Sequence, residues 1–164
     1  MRIGVISDTH GFLDENIFKY FDECDEIWHA GDIGSIDITS KLSDFKKLRG
    51  VYGNIDDREI QLKHQIELNF KLEGIKVYMT HIGGYPPRYT PAIRKKLDLI
   101  KPDLFICGHS HIVKIVNDSD RGLLHINPGA AGRQGFHKKR TLVRFSILTG
   151  KIKNLQLIEL GGRA

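Results

Sequence analysis

The sequence predicts an α/β fold in which two β-sheets pack face to face as a β-sandwich flanked by helices. Three observations lead there. In the first half, short apolar runs alternate with stretches of helical spacing, and in the second half short strands dominate. The length of 164 residues suits one well-buried core and is too short for two ordinary domains, so a single domain over residues 1–164 is expected.

Ile3-Gly4-Val5-Ile6 is an apolar run closed by Ser7-Asp8, and Leu13, Ile17, Tyr20 and Phe21 follow at helical spacing. Glu26 to Ala30 reads as a second strand ending at Gly31-Asp32. Ile38, Leu42 and Phe45 mark a second helix at i, i+4 and i+7, and Leu48 to Tyr52 a third strand. Strands separated by helices need right-handed crossovers, hence a parallel arrangement. Ile66, Leu68, Phe70 and Leu72 then alternate, Glu73-Gly74 can turn, and Lys76 to Thr80 is the hairpin partner. Thr90-Pro91 opens a helix with an N-cap and a first-position proline, its apolar stripe being Ile93, Leu97 and Ile100, and Lys101-Pro102 ends it. Leu104 to Cys107, Ile112 to Val116, Leu123 to Ile126, Leu142 to Leu148 and Lys151 to Leu160 read as strands, the last two joined at Thr149-Gly150.

Composition narrows the function classes. The longest apolar runs stop short of a membrane span, and Met1 leads directly into a strand without a signal-peptide core, which points to the cytoplasm. Cys24 and Cys107 sit in apolar surroundings with no paired-cysteine spacing, so both are expected to be buried thiols. The net charge of +5 suits an anionic small-molecule substrate. A nucleic-acid partner is not favoured, because the basic residues are scattered and the tightest run, His137-Lys138-Lys139-Arg140, lacks interleaved aromatics.

The polar residues carry the chemistry. Asp8 and His10 follow the first predicted strand, Asp32 the second, Asn54 the third, His81 the Lys76 to Thr80 strand, and His109 and His111 the Leu104 to Cys107 strand. The carboxyl ends of strands border the binding crevice of an open α/β sheet, so these seven residues are expected to meet. Turn and capping propensity explains Asp and Asn after strands, but gives no reason for four histidines at the same edge. Carboxylate, amide and imidazole together suit manganese, iron or zinc better than calcium. Seven ligands exceed the needs of one such ion, whereas two ions about 3.5–4 Å apart, sharing a carboxylate, would use them all.

Asp8-Thr9-His10, Gly31-Asp32, Gly53-Asn54-Ile55-Asp56, His81 and Gly108-His109-Ser110-His111 occur in the order and types of a known signature. The chain resembles the calcineurin-like metallophosphoesterase superfamily, in its small single-domain YfcE-type branch of phosphodiesterases. The resemblance runs from Asp8 to the Asn127-Pro128-Gly129 turn and implies a four-layer α/β/β/α fold. It implies that Asp8, His10, Asp32 and His111 hold one divalent metal ion, and Asp32, Asn54, His81 and His109 the other, with Asp32 bridging. Manganese is the first expectation, with iron, zinc, nickel or magnesium behind it. A hydroxide shared by the ions would attack phosphorus, with Asp32 and Asn54 as the catalytic residues.

Other positions follow from the same resemblance. Asn127-Pro128-Gly129-Ala130 resembles a turn near the metals in which Ser often stands where this chain has Ala130, and Gly129 and Arg133 are its candidates for phosphate binding. In many members a histidine follows the motif asparagine; here it is Ile55, which can donate no proton to a leaving group. His29 is read as a supporting or strand residue, Asp56 as a supporting or turn residue, and His64, His125 and His137 lie outside the ligand set. The loop Gly83 to Tyr89 is where substrate selection is expected. A phosphomonoesterase or nucleotide pyrophosphohydrolase is the neighbouring alternative, and a non-catalytic interaction scaffold of the same fold, as in the related retromer subunit, the alternative from another class. A homo-oligomer stays open.

Overall fold

A computed structural model describes residues 1–164. In chain order its elements are β1 (Arg2–Ile6), α1 (Asn16–Phe21), β2 (Glu26–His29), α2 (Ile36–Phe45), β3 (Lys47–Gly50), α3 (Arg58–Lys63), β4 (Glu67–Leu72), β5 (Ile75–Thr80), β6 (Gly84–Tyr85), β7 (Arg88–Tyr89), α4 (Pro91–Ile100), β8 (Leu104–Ile106), β9 (Lys114–Asp118), β10 (Leu123–Asn127), β11 (Lys139–Leu148) and β12 (Lys151–Gly162). One five-stranded sheet has the order β12-β11-β1-β2-β3, the other β4-β5-β8-β10-β9, and β6 and β7 form a separate small hairpin. The expected parallel core is present, with β1, β2 and β3 parallel in the first sheet and β5, β8 and β10 in the second.

Strand alternation sorts the apolar side chains into three layers. Ile3, Val5 and Trp28 from the first sheet meet Val77, Met79, Leu104 and Ile106 from the second to form the central layer of the sandwich. On the outer face of the first sheet, Ile6 and Ile27 pack against Ile17 and Phe21 of α1, Ile38 and Leu42 of α2 and Ile60 of α3. On the outer face of the second, Tyr78, Phe105 and Cys107 meet Ile93 and Leu97 of α4. The result is the expected α/β/β/α layering, and both cysteines are free and buried, as expected.

The turn chemistry works as read. Glu73-Gly74 joins β4 to β5 and Thr149-Gly150 joins β11 to β12, each pair with positive φ at both residues. Thr90 caps α4, its Oγ1 accepting from the Ile93 N–H. Elsewhere the boundaries differ. α1 begins only at Asn16, so Leu13 lies in the preceding loop, and the predicted Ile112 to Val116 strand is displaced to Lys114–Asp118. α3 and the β6–β7 hairpin were not expected. α3 buries only Ile60 and so shows no apolar stripe in the sequence, and it is started by Asp57, whose side chain accepts from the Ile60 N–H.

One buried charge ties the two sheets at the β3–β4 end. Glu26 on β2 is 1% exposed and accepts from Trp28 Nε1 at 2.9 Å and Arg49 Nε at 2.7 Å, with Lys47 Nζ at 2.8 Å. The Arg49 guanidinium lies 4.4 Å from the Phe70 ring centroid, and Trp28 meets the same ring edge-on at 5.3 Å, so the network reaches from β2 and β3 to β4. Burial alone would push the Glu26 carboxyl up; its three donors reverse this and hold it at about 2.

Because the folded-state value lies below the unfolded one, the stabilisation is complete above the ordinary carboxylate range and is lost as pH falls towards about 2. Glu26→Gln is therefore expected to lower the unfolding free energy by about 3 kcal/mol at neutral pH, with the gap from wild type closing in acid. Urea denaturation followed between pH 7 and pH 3 checks this; a gap that does not change with pH would count against it.

Candidate metal centre

The sequence-predicted residues come together where the carboxyl ends of the two parallel cores meet. Asp8 and Asp32 follow β1 and β2 of one sheet; His81, His109 and His111 follow β5 and β8 of the other. Within the first sheet the loops are laced by backbone hydrogen bonds from Asp8 to Gly31 (2.9 Å), His10 to Asp32 (3.0 Å) and Gly11 to Ile33 (2.9 Å). Two contacts join the sheets. The His109 N–H donates to both carboxylate oxygens of the fully buried Asp8, at 3.2 and 3.1 Å, and His81 Nδ1 lies 2.8 Å from the Ala30 carbonyl.

The candidate ligand atoms form two groups, Asp8 with His10 and His111, and Asp32 with His81 and His109. In the first, His111 Nε2 is 3.2 Å from Asp8 Oδ1 and 3.2 Å from His10 Nε2. In the second, His81 Nε2 is 3.2 Å from Asp32 Oδ2. Asp32 Oδ2 also lies 3.6 Å from His10 Nε2, which puts this carboxylate between the groups. Asn54 is exposed, on a loop whose neighbours both touch Asp32: the Ile55 N–H donates to Asp32 Oδ1 at 3.1 Å, and Gly53 packs against the same carboxylate.

Hydrogen bonding tests whether this constellation fits cations. The Ala30 carbonyl can only accept, so the His81 proton sits on Nδ1 and the Nε2 lone pair faces the Asp32 carboxylate, buried and without a hydrogen-bond donor. His10 and His111 likewise turn ring nitrogens on one another. Lone pairs converge in this way when a cation or a proton lies among them, and carboxylate with imidazole is a donor set for manganese, iron or zinc. The residues fit divalent metal ions. Without metal, protons take the place: burial draws the His81 imidazole down, but Asp32 and Asp8 outweigh it and raise it, and hydrogen bonding to Asp8 raises His111. Metal and protons then compete, so affinity weakens as pH falls.

Five of the nine non-glycine residues with positive φ are candidate ligands: Asp8 (55°), His10 (47°), Asp32 (54°), His109 (69°) and His111 (58°). Such backbone costs roughly 1–2 kcal/mol at each position and persists only where its surroundings impose it. The imposing residues lie one layer out. His29 is fully buried, accepts from the Gly31 N–H through Nδ1 and so donates from Nε2 to Thr9 Oγ1, which passes its own proton to the Ile33 carbonyl. Burial pushes this imidazole down to about 3, consistent with the neutral ring that role needs. Asp56 accepts from the Gly53 and Gly34 N–H groups at 2.8 and 2.7 Å, fastening the Asn54 loop to the Asp32 loop. Asn127 donates to the Gly108 carbonyl at 2.8 Å and to Ser110 Oγ at 3.1 Å, holding the loop that carries His109 and His111.

The remaining candidates are placed differently. Gly129 is buried and its N–H donates to Asn127 Oδ1, while the N–H groups of Ala131 and Gly132 donate to the Ser7 and Asp8 carbonyls. That turn spends its donors inside the fold, contrary to the expectation that it offers them to a phosphate. Arg133 stays exposed, its guanidinium 4.1 Å from the Phe12 ring centroid. His64 bonds Thr39 Oγ1 at 3.0 Å, and His137 bonds the Gly132 carbonyl at 3.0 Å while meeting the His111 ring edge-on. The supporting role of Asn127 could not be read from sequence, since its partners lie 17 and 19 residues away.

A four-layer sandwich with carboxylate and imidazole ligands gathered at its strand ends defines the metallophosphoesterase class. Residues 1–150 match the model of the calcineurin-like phosphoesterase superfamily domain. A protein of Methanocaldococcus jannaschii named "Probable metallophosphoesterase" is 35% identical over 139 residues, covering 79% of this chain and 68% of that protein. One from Methanothermobacter thermautotrophicus with the same name is 34% identical over 135 residues, covering 79% and 77%. The chain belongs to the calcineurin-like phosphoesterase superfamily, a family of metal-dependent phosphoesterases. Similar solved structures include one described as a novel archaeal phosphodiesterase (TM-score 0.80, 20% identity, 98% of this chain and 100% of that one) and a single mutant of Vps29 from Entamoeba histolytica (TM-score 0.75, 14% identity, 98% and 100%). At these identities the structural likeness speaks for the fold.

A Cβ added at Gly53 would sit 2.0 Å from Asp32 Oδ1 and 2.4 Å from Asp32 N, an approach no side chain tolerates. Gly53→Ala is therefore expected to weaken the binding of divalent metal ions by about 10- to 100-fold, because it displaces a carboxylate that reaches both groups. Calorimetric titration of the metal-free protein checks this, with circular dichroism to verify folding; unchanged affinity in a folded variant would refute it.

Proposed function

We propose that the protein is a phosphodiesterase with a dinuclear metal centre, acting on a small-molecule phosphoester. The observation that carries this reading is the reach of Asp32, whose Oδ2 lies 3.2 Å from His81 Nε2 of its own group and 3.6 Å from His10 Nε2 of the other, which suits a shared ligand of paired ions. On this reading Asp8, His10, Asp32 and His111 hold one ion, and Asp32, Asn54, His81 and His109 the other, with manganese the first choice. When bound, two divalent ions supply Lewis acidity at the phosphoryl group and lower the pKa of water.

The chain's own residues set the rest. Buried Asp8 and Asp32 fix the depth of the centre, while exposed Asn54 and His109 mark the side from which an ester approaches. The Asn54 amide can donate to a phosphoryl oxygen as charge builds there. Ile55, 45% exposed beside it, has no proton for the leaving oxygen. Chemistry at this site should therefore depend on how well the leaving group carries negative charge, which favours activated diesters.

A second reading is a non-catalytic interaction scaffold. It is favoured by exposed Ile55, Ile82 and Ile112, each directly following a proposed ligand, and opposed by the intact ligand set. We read the chain as one domain. No helix is long and apolar enough to cross a membrane, and a cytoplasmic setting, in keeping with two free buried cysteines, belongs to the same proposal.

Manganese-loaded protein should hydrolyse bis(p-nitrophenyl) phosphate faster than p-nitrophenyl phosphate, with Asp32→Asn reducing the rate at least 100-fold. Metal-loaded protein no more active than this variant on either ester would overturn the enzyme reading, and a preference for the monoester would move it to a phosphomonoesterase. Ile55→His is expected to raise turnover of alkyl esters by about 10- to 100-fold while leaving aryl esters nearly unchanged. Equal effects across leaving groups, measured as a plot of rate against leaving-group pKa, would argue against the assignment.

A further inference from the structure

Beside the metal centre a cleft of about 470 Å³ opens between the β6–β7 hairpin and the loop that leads into β9. It shares His109 with the second ligand group, so a phosphoester seated at the metals would send one substituent into it. Its walls are apolar and wet: Ile82, Tyr85 and Ile112 are 43, 42 and 67% exposed. The Lys114 ammonium stands 5.4 Å from the Tyr85 ring centroid. Thr90 lines the same cleft, its Oγ1 accepting from the Ile93 N–H and its proton free to donate.

The floor carries the anomaly. His125 lies beneath it, fully covered, with the rings of Tyr89 and Phe105 at 5.8 and 5.5 Å, and neither of its ring nitrogens has a hydrogen-bond partner. Leaving a buried polar group unanswered costs roughly 1–3 kcal/mol. Burial pushes this imidazole down to about 4, so the ring is neutral and offers one donor and one acceptor. Nothing in the metal centre uses it.

The two features select an occupant together. An alkyl substituent would cover the apolar walls and leave His125 and Thr90 without partners. A sugar or charged group would do the reverse. A flat heteroaromatic ring has apolar faces for Tyr85, Ile82 and Ile112 and a polar edge for the floor, and a cleft of this volume lies within the range of about 300–1,000 Å³ common to small-molecule sites. We propose that this cleft binds a heteroaromatic group, of the size of a nucleobase, carried by the phosphoester substrate. The link to substrate rests on the phosphodiesterase reading; binding of the ring itself does not.

The test uses metal-free protein labelled at its isoleucine methyl groups and titrated with adenosine, with ribose as the control. The Ile82 and Ile112 methyl resonances should shift with adenosine, saturating in the millimolar range, and stay still with ribose. Tyr85→Ala, a change at an exposed side chain, should weaken adenosine binding at least fivefold, and Ile112→Glu should do the same. No shift, equal shifts with ribose, or unchanged binding in both variants would overturn the assignment. The two readings separate cleanly: adenosine binding by a protein that cleaves no phosphoester leaves the cleft standing and removes the phosphodiesterase. Cleavage of nucleoside and methyl aryl diesters with equal KM, without methyl shifts, removes the cleft and keeps the enzyme.

Discussion

The architecture depends on one buried carboxylate. Asp8 has no solvent exposure, follows the central strand of the first sheet, and accepts at both of its oxygens from the one backbone N–H of His109 of the second. A carboxylate without water must be paired or hydrogen-bonded, since an isolated buried charge is too costly to persist. Here the satisfaction comes from across the sandwich, so the two sheets can stack in few ways that leave Asp8 answered. The contact from His81 Nδ1 to the Ala30 carbonyl runs the same way, from the second sheet to the first. Together they make the metal centre the place where the relative position of the sheets is fixed.

That arrangement asks a great deal of the local backbone. Five candidate ligand positions adopt positive φ, and several glycines stand where even a methyl group would collide with the site. A Cβ at Gly108 would sit 1.9 Å from Ser7 Oγ and 2.8 Å from Asp8 Oδ2. The three apolar layers supply the stability that offsets this strain, and His29, Asp56 and Asn127 convert it into fixed positions by occupying the loop N–H and C=O groups. On the proposed function, rigidity of this kind would hold like-charged ions side by side, because a ligand that can swing away would let the pair relax apart.

Most of the fold and the ligand cluster are legible in the sequence because they rest on local rules. Period-two alternation marks β4, the Glu73-Gly74 turn marks β5 as its partner, Thr90-Pro91 marks the start of α4, and polar residues after apolar runs mark the strand-end positions where the candidate ligands gather. α3 escapes because Ile60 is its one buried residue, so it shows no apolar stripe, and β6 and β7 because two residues carry no period. The Gly129 turn misleads for a different reason. Glycine-rich backbone can cradle an anion only when its N–H groups are free, and whether Asn127, Ser7 and Asp8 claim them is a matter of tertiary contact. His125 is silent in the sequence on the same ground, since the signal it carries is the absence of a partner in space.

Ile55 and the cleft bear on one another. A site without a proton donor beside the leaving oxygen lowers its barrier through the leaving group itself or through binding energy drawn from remote parts of the substrate. On the proposed function, exposed apolar walls next to His109, backed by an unanswered imidazole, would be a source of the second kind: contacts that do nothing at phosphorus but would hold the ester in the orientation the Asn54 amide and the candidate ligand groups require. The replacement of a proton donor by an apolar side chain then belongs to the same surface as Ile82 and Ile112. Such a site would exchange breadth towards poor leaving groups for selection by the substituent, and its selectivity would reside in the β6–β7 hairpin, outside the two clusters of metal ligands.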